Sequence, residues 1–257
     1  MYKIHEIQGH IQSSYLIEYQ DKILLMDCAT RADLIKIENF VHNDLGRKMS
    51  DIKLAVVSHM HPDHAGLANI LQKKYGIPIT AHPSANKWYG GFLGELQHFI
   101  DVLLAWYVSI KMKNPPKRMW YPSKIKPDYN ATDGEVLPFF NDWQVVYTPG
   151  HTSHDISLYH KQSKTIYVAD VILKINKKFL LPMPVTLPKL MESTLDNLSN
   201  LDIEHMLLAH SKQLVITDKE IFFQKLKNQL KEKKKGVFAL INLISFFPPS
   251  IRDIENC

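Results

Sequence analysis

Three histidines and one aspartate fall within six consecutive residues, His59-Met60-His61-Pro62-Asp63-His64. Imidazole nitrogens and carboxylate oxygens at this density are the ligands of zinc, and also of iron or manganese. The His-x-His-x-Asp-His spacing suits a pair of ions, with His59 and His61 directed to one and Asp63 and His64 to a neighbour. The alternative is a polar loop whose histidines merely face water, and packing has no use for such a cluster. The flanking residues say what positions it. Lys53-Leu54-Ala55-Val56-Val57 is an apolar, β-branched run that reads as a buried strand. After the cluster, Leu67, Ile70 and Leu71 recur at helical spacing as far as Gly76. The motif therefore belongs on a strand-to-helix turn, where side chains converge beyond a sheet edge.

On these residues the chain resembles the metallo-β-lactamase superfamily of hydrolases, over roughly residues 1–215. The resemblance implies further ligands: His151 in Tyr147-Thr148-Pro149-Gly150-His151, Asp170 after Thr165–Ala169, and His210 after Met206–Ala209. Each follows a strand-like run, as the first cluster does. The implied fold is α/β (α+β), a four-layer αββα sandwich. The implied cofactors are two divalent ions, zinc first, with iron or manganese as alternatives. His59, His61 and His151 would hold one ion and Asp63, His64 and His210 the other, with Asp170 bridging. Two such ions lower the pKa of a shared water toward about 7, and Asp63 is the implied proton carrier. Asp63 and Asp170 are thus the expected catalytic carboxylates. Asp27, at the end of a strand, would support the motif turn from behind the ligands; capping a helix over Arg31–Leu45 is its other reading.

Some positions depart from the family's pattern. His154 stands where relatives usually have glycine. It could contact substrate or shuttle a proton, or pack at the turn and bond to backbone. Leu173 replaces the tyrosine common in acyl-homoserine lactone hydrolases, and Ser211 replaces a glycine. His61 occupies the position that is glutamate in flavin-dependent di-iron relatives.

The 257 residues, 45% hydrophobic, are enough for one large domain with a substantial core. A single domain over 1–257 is expected, with a helical insertion at about 84–135 and a helical tail at about 218–257. Residues 2–27 read as three strands, with a hairpin turn at Asp21-Lys22. Pro78–Ala81 is another strand ending at His82, which reads as structural. In the insertion, Leu93, Leu96, Ile100, Leu103, Leu104, Tyr107 and Ile110 recur at i, i+3, i+4 and i+7. Trp88, Tyr89, Phe92, Phe99 and Trp106 add aromatic bulk. This segment is expected either to pack that stripe on the core or to serve as a lid or dimer contact. Phe179–Leu190, with Pro182, Pro184 and Pro188, reads as an ordered loop over the pocket.

Composition narrows the setting. The net charge of +5 is mild, and the lysines of Lys225–Lys235 read as the solvated face of a helix whose apolar side is Ile221, Phe222, Leu226 and Leu230. No secretory signal is recognisable at Met1–Glu6. Val237–Phe247, the longest apolar run, is too short to span a bilayer. Cys28 and Cys257 do not make a disulfide framework. A cytoplasmic protein is the default expectation. A small-molecule substrate is expected, nucleic acid is a disfavoured partner for want of basic and aromatic interleaving, and the insertion or the apolar tail could mediate a homodimer.

The functional expectation is a dinuclear hydrolase whose metal-bridging hydroxide attacks a small ester-like substrate: a thioester, a lactone or a related acyl compound. A phosphodiesterase or nuclease of the same fold stays open, as does a non-catalytic binding protein that retains the site.

Overall fold

Strands with both faces buried need apolar residues at successive positions, and two stretches of this chain meet that demand. In the computed structural model, which describes residues 1–175 and 178–232, these stretches form two six-stranded sheets packed face to face. The first sheet holds β1 (Lys3–Gln8), β2 (Ser13–Glu18), β3 (Ile23–Met26), β4 (Ile52–Val57), β5 (Ile79–Ala81) and β6 (Tyr129–Asn130), in that spatial order. Its first three strands are antiparallel and the rest parallel. The second sheet holds β7 (Val136–Leu137), β8 (Phe140–Tyr147), β9 (Ile156–His160) and β10 (Thr165–Tyr167). After a small hairpin of β11 (Leu173–Ile175) and β12 (Lys178–Leu180), the chain returns to that sheet as β13 (His205–Leu208) and β14 (Ser211–Val215).

The period-2 alternation of the strands divides the core into three layers of contact. Ile23 and Leu25 face outward toward the helices, whereas Leu24 and Met26 face the second sheet. Tyr167 and Leu207 meet them from the second sheet, while Ile166 and Met206 point the other way. The helices cover the two outer faces. On the first are α1 (Leu34–Asn39), α2 (Pro62–Ala65), α3 (Ala68–Tyr75) and α4 (Gly91–Lys111), through Ile37, Leu71 and Val102 among others. On the second are α5 (Pro188–Asn200) and α6 (Lys219–Leu230), through Met191, Leu195, Phe223 and Leu226. This is the four-layer αββα sandwich, and the strand ends that carry the site all emerge along one edge of it.

Three expectations change. The helix expected over Arg31–Leu45 is a composite of a 3-10 turn, the short α1 and a π-helical turn at Phe40–Asp44. On α6 the inward residues are Phe223 and Leu226, while Ile221 is exposed. The largest change concerns α4. Its apolar stripe does not face the core: Gln97, His98, Asp101, Val102, Ala105 and Ser109 do, and Phe92, Leu96, Phe99, Leu103, Trp106, Tyr107 and Ile110 are exposed. The polar residues turn inward because partners wait there. Gln97 and Tyr89 bond to Asp101, and Ser109 bonds to His10. Gly94 permits the close start of this helix, since a Cβ there would sit 2.3 Å from the Tyr89 carbonyl carbon.

Asp218 caps α6 by accepting the Ile221 N–H at 3.0 Å. Val237–Phe247, the apolar part of the tail, lies outside the described residues. Among the described residues no helix is long and apolar enough to cross a membrane.

Candidate metal centre

The turn after β4 delivers the first cluster. Pro62 at the first position of α2 presets the helical φ, which swings Asp63 and His64 back over the strand end while His59 and His61 remain on the approach. The turns after β8, β10 and β13 bring His151, Asp170 and His210 to the same edge. All seven residues expected from the sequence converge there, as two triads with Asp170 between them.

In the first triad, the His59 Nε2 and His61 Nδ1 atoms are 3.0 Å apart, and His151 Nε2 is 2.9 Å from His61 Nδ1. Three ring nitrogens aimed at one another have too few protons to satisfy each other; a cation is the partner that suits their lone pairs. In the second triad, His64 Nε2 and His210 Nε2 lie 3.8 and 3.5 Å from Asp63 Oδ2. Asp170 stands between the triads. Its Oδ1 is 3.3 Å from His64 Nε2 and 3.1 Å from His210 Nε2, and its Oδ2 is 3.7 Å from His151 Nε2. His64 Nε2 and Asp170 Oδ1 are both buried without a hydrogen-bond partner. Buried polar atoms left in this way are costly, and the donor set fits two divalent ions.

The two triads differ in charge. Burial, reinforced by neighbouring imidazoles, pushes His59 and His61 well below the usual imidazole value. Burial would do the same to His64 and His210, but Asp170 leads the carboxylates that outweigh it and hold both histidines above that value. Against its own burial, Asp170 is held well below the carboxylate range by His210 and His64.

Behind the ligands lies a supporting layer. Asp27, at the end of β3, accepts hydrogen bonds from the Ser58 N–H at 2.7 Å and the Ser58 hydroxyl at 2.8 Å. It also takes His64 Nδ1 at 2.7 Å and the Tyr167 hydroxyl. Holding Nδ1 leaves His64 Nε2 to face the centre. Asp27 does not cap the following helix; Thr30 and Asp33 bond to each other there. Its own backbone is left-handed, at φ 65°, a conformation that aspartate tolerates better than most residues. His151 is oriented by the Pro184 carbonyl, which lies 2.7 Å from its Nδ1; the proline-rich loop thus supplies a contact to the centre. Gly150 precedes it because a Cβ there would lie 2.7 Å from Met191 Cβ.

His154 is fully buried, and its Nε2 accepts the Met60 N–H at 3.0 Å. Of its two readings, packing at the turn with a bond to backbone is the one this contact matches. His82 stacks on Tyr147 and bonds to Ser84, away from the centre.

The sequence reading missed Asp101. From α4 its Oδ2 comes within 3.6 Å of His61 Nε2, the nitrogen not aimed at the triad. It accepts from the Tyr89 hydroxyl at 2.8 Å and from Gln97 at 2.7 Å. Burial raises this carboxyl to about 7 against those hydrogen bonds. Tyr121, from the same insertion, donates to the Met60 carbonyl. A signal was available: Asp101 is the one charged residue between Glu95 and Lys111 in an otherwise apolar helix.

Comparison with known proteins agrees with this arrangement. The family profile of the Metallo-beta-lactamase superfamily matches residues 7–210. The chain is 20% identical over 178 residues to the "Probable metallo-hydrolase YflN" of Bacillus subtilis, 68% of this chain and 66% of that protein. It is 33% identical over 89 residues to "Ribonuclease J 1" of Streptococcus pyogenes, 33% of this chain but 16% of that protein. The chain thus spans less than two thirds of the length of either relative. Among solved structures it is similar in fold to the metallo-beta-lactamase family protein TTHA1429 from Thermus thermophilus, with a TM-score of 0.69 and 18% identity over 97% of this chain and 91% of that one. Fold, site and profile together make this chain a member of the metallo-β-lactamase superfamily.

Proposed function

We propose that the chain is one domain carrying a dinuclear centre that hydrolyses a small ester-like compound, such as a thioester or lactone. The carrying observation is Asp170, whose two oxygens face different triads. In this reading His59, His61 and His151 hold one ion, Asp63, His64 and His210 the other, and Asp170 both. Zinc is the first candidate for a nitrogen-rich set of this kind, with iron and manganese suited to the same donors. When bound, such a pair supplies Lewis acidity for a carbonyl or phosphoryl oxygen and makes water nucleophilic near neutral pH.

The chain's own residues do the rest. Asp27 fixes the tautomer and direction of His64, and the Pro184 carbonyl does so for His151. Asp63 stands beside His64 and His210 with its side chain 13% exposed, which suits it to carry the proton released from water to the leaving group. The Oδ1 and Oδ2 atoms of Asp170 balance the imidazoles around them.

Access supports a small substrate. His59, His64 and His151 are buried, and only His61, Asp63, Asp170 and His210 show partial exposure. A phosphodiester is the second reading, supported by the short match to a ribonuclease.

The test is initial hydrolysis rate with zinc- and manganese-loaded protein on acyl thioesters, lactones and a phosphodiester, with Asp63→Asn beside the wild type. The expected result is a metal-dependent rate on acyl compounds that the variant loses. A rate confined to the phosphodiester would move the protein to the second reading. Two bound metals with no turnover of any compound would leave a binding protein.

A further inference from the structure

The outward face of α4 has an order of its own. Its exposed apolar residues include Phe92, Leu96, Phe99, Leu103, Tyr107 and Ile110, at spacings of 4, 3, 4, 4 and 3, with Trp106 and Val108 exposed beside them. From Leu96 to Ile110 that spacing reads the same in both directions about Leu103, so that Leu96 is answered by Ile110 and Phe99 by Tyr107.

We propose that α4 is a two-fold interface, on which a second copy of this chain lays its own α4 antiparallel with Leu103 on the axis. A symmetric dimer requires a self-complementary patch, and an antiparallel helix pair converts a palindromic stripe into one. The 11-residue advance from Phe92 to Leu103 is close to the period of an unstrained helix, so two straight helices keep their seams in register along about 30 Å.

Area points to the same occupant. Aromatic side chains carry about 150–250 Å² each, and Phe92 is 84% exposed and Tyr107 56%. With Leu96, Phe99, Leu103, Trp106 and Ile110 the face presents on the order of 800 Å², the usual contribution of one partner to a stable interface. That exceeds the patch of a few hundred Å² that a soluble monomer commonly exposes. The inward face of the same helix is closed by Gln97, Asp101 and Ser109, so the pairing leaves the centre's contacts with α4 in place.

The test is sedimentation velocity of the full chain at micromolar concentration, together with disulfide trapping in a Cys257→Ser background; Cys28 is buried and does not compete. The wild type is expected to sediment as a dimer. Leu103→Glu should weaken it by about tenfold or more, as for a central interface anchor. Leu103→Cys should cross-link to its own copy, whereas Phe92→Cys should not, because the proposed register separates the two copies of that residue by about 33 Å. Should Leu103→Glu fail to fold by circular dichroism, the trapping pair decides the matter. A monomer, a dimer indifferent to the Leu103 variants, or a monomer that binds anionic phospholipid vesicles through this face would overturn the proposal.

Discussion

The turn at His59–His64 and helix α4 both place polar groups against the same centre, yet they reach it by opposite routes. The turn sits at the end of a buried strand, so its ligands are displayed by the sheet edge and braced from behind by Asp27. Helix α4 comes from outside the sandwich and presents a polar face with Asp101 inward and an apolar face outward. The turn shows that a dense cluster of ligands declares its own purpose. The helix shows that apolar periodicity says where a stripe is, and not which way it points.

The sharpest way to break the first half of that contrast is Asp170→Ala. Removing the carboxylate between the triads leaves His64 and His210 facing each other, and activity should fall by about a thousandfold or more, with one ion retained per chain at most. Metal analysis and initial rates check this together. Asp27→Asn comes next. It retains the fold but loses the charge that orients His64, and metal affinity by chelator competition should drop about 10–100-fold, as for other supporting partners.

Asp101→Asn probes the second half. Its contact with His61 is longer, 3.6 Å against 2.7 Å for Asp27 and His64, so a loss of about tenfold or less in metal affinity is expected, at the low end of such effects. A loss equal to that of Asp27→Asn would make α4 as much a part of the centre as the turn. The smallest effect belongs to Leu103→Glu on the outer face, which should alter metal affinity by less than about twofold, a surface-scale change.

A pH series separates the triads themselves. His59 and His61 are already neutral well below neutrality and need lose no proton to accept a cation. His64 and His210 hold their protons to higher pH, so protons compete with metal there as pH falls. On acidification from neutrality the ion of the Asp63–His64–His210 triad should leave first. Loss of the other ion first, followed by metal analysis and titration calorimetry, would contradict this.

Much of this was legible because strand runs and ligand motifs are local signals. Ile23–Met26, Lys53–Val57 and Thr165–Ala169 each announced a buried strand, and the residue following each run or close after it reached the centre. What stayed hidden was tertiary. The lone charge of Asp101 marked that residue, but which face of α4 turns inward depended on Tyr89 and His10 offering partners across the fold. The sequence offered a backbone bond for His154 without naming Met60 as its partner, and it did not reveal that the Pro184 carbonyl would turn toward His151.

The most direct measurement follows hydrolysis of acyl thioesters and lactones as metal is added back to metal-free protein. A rate that climbs and levels off at two equivalents per chain, and stays absent in Asp170→Ala, is the result that a bridged dinuclear centre predicts. A rate that saturates at one equivalent, or that survives in Asp170→Ala, would contradict it.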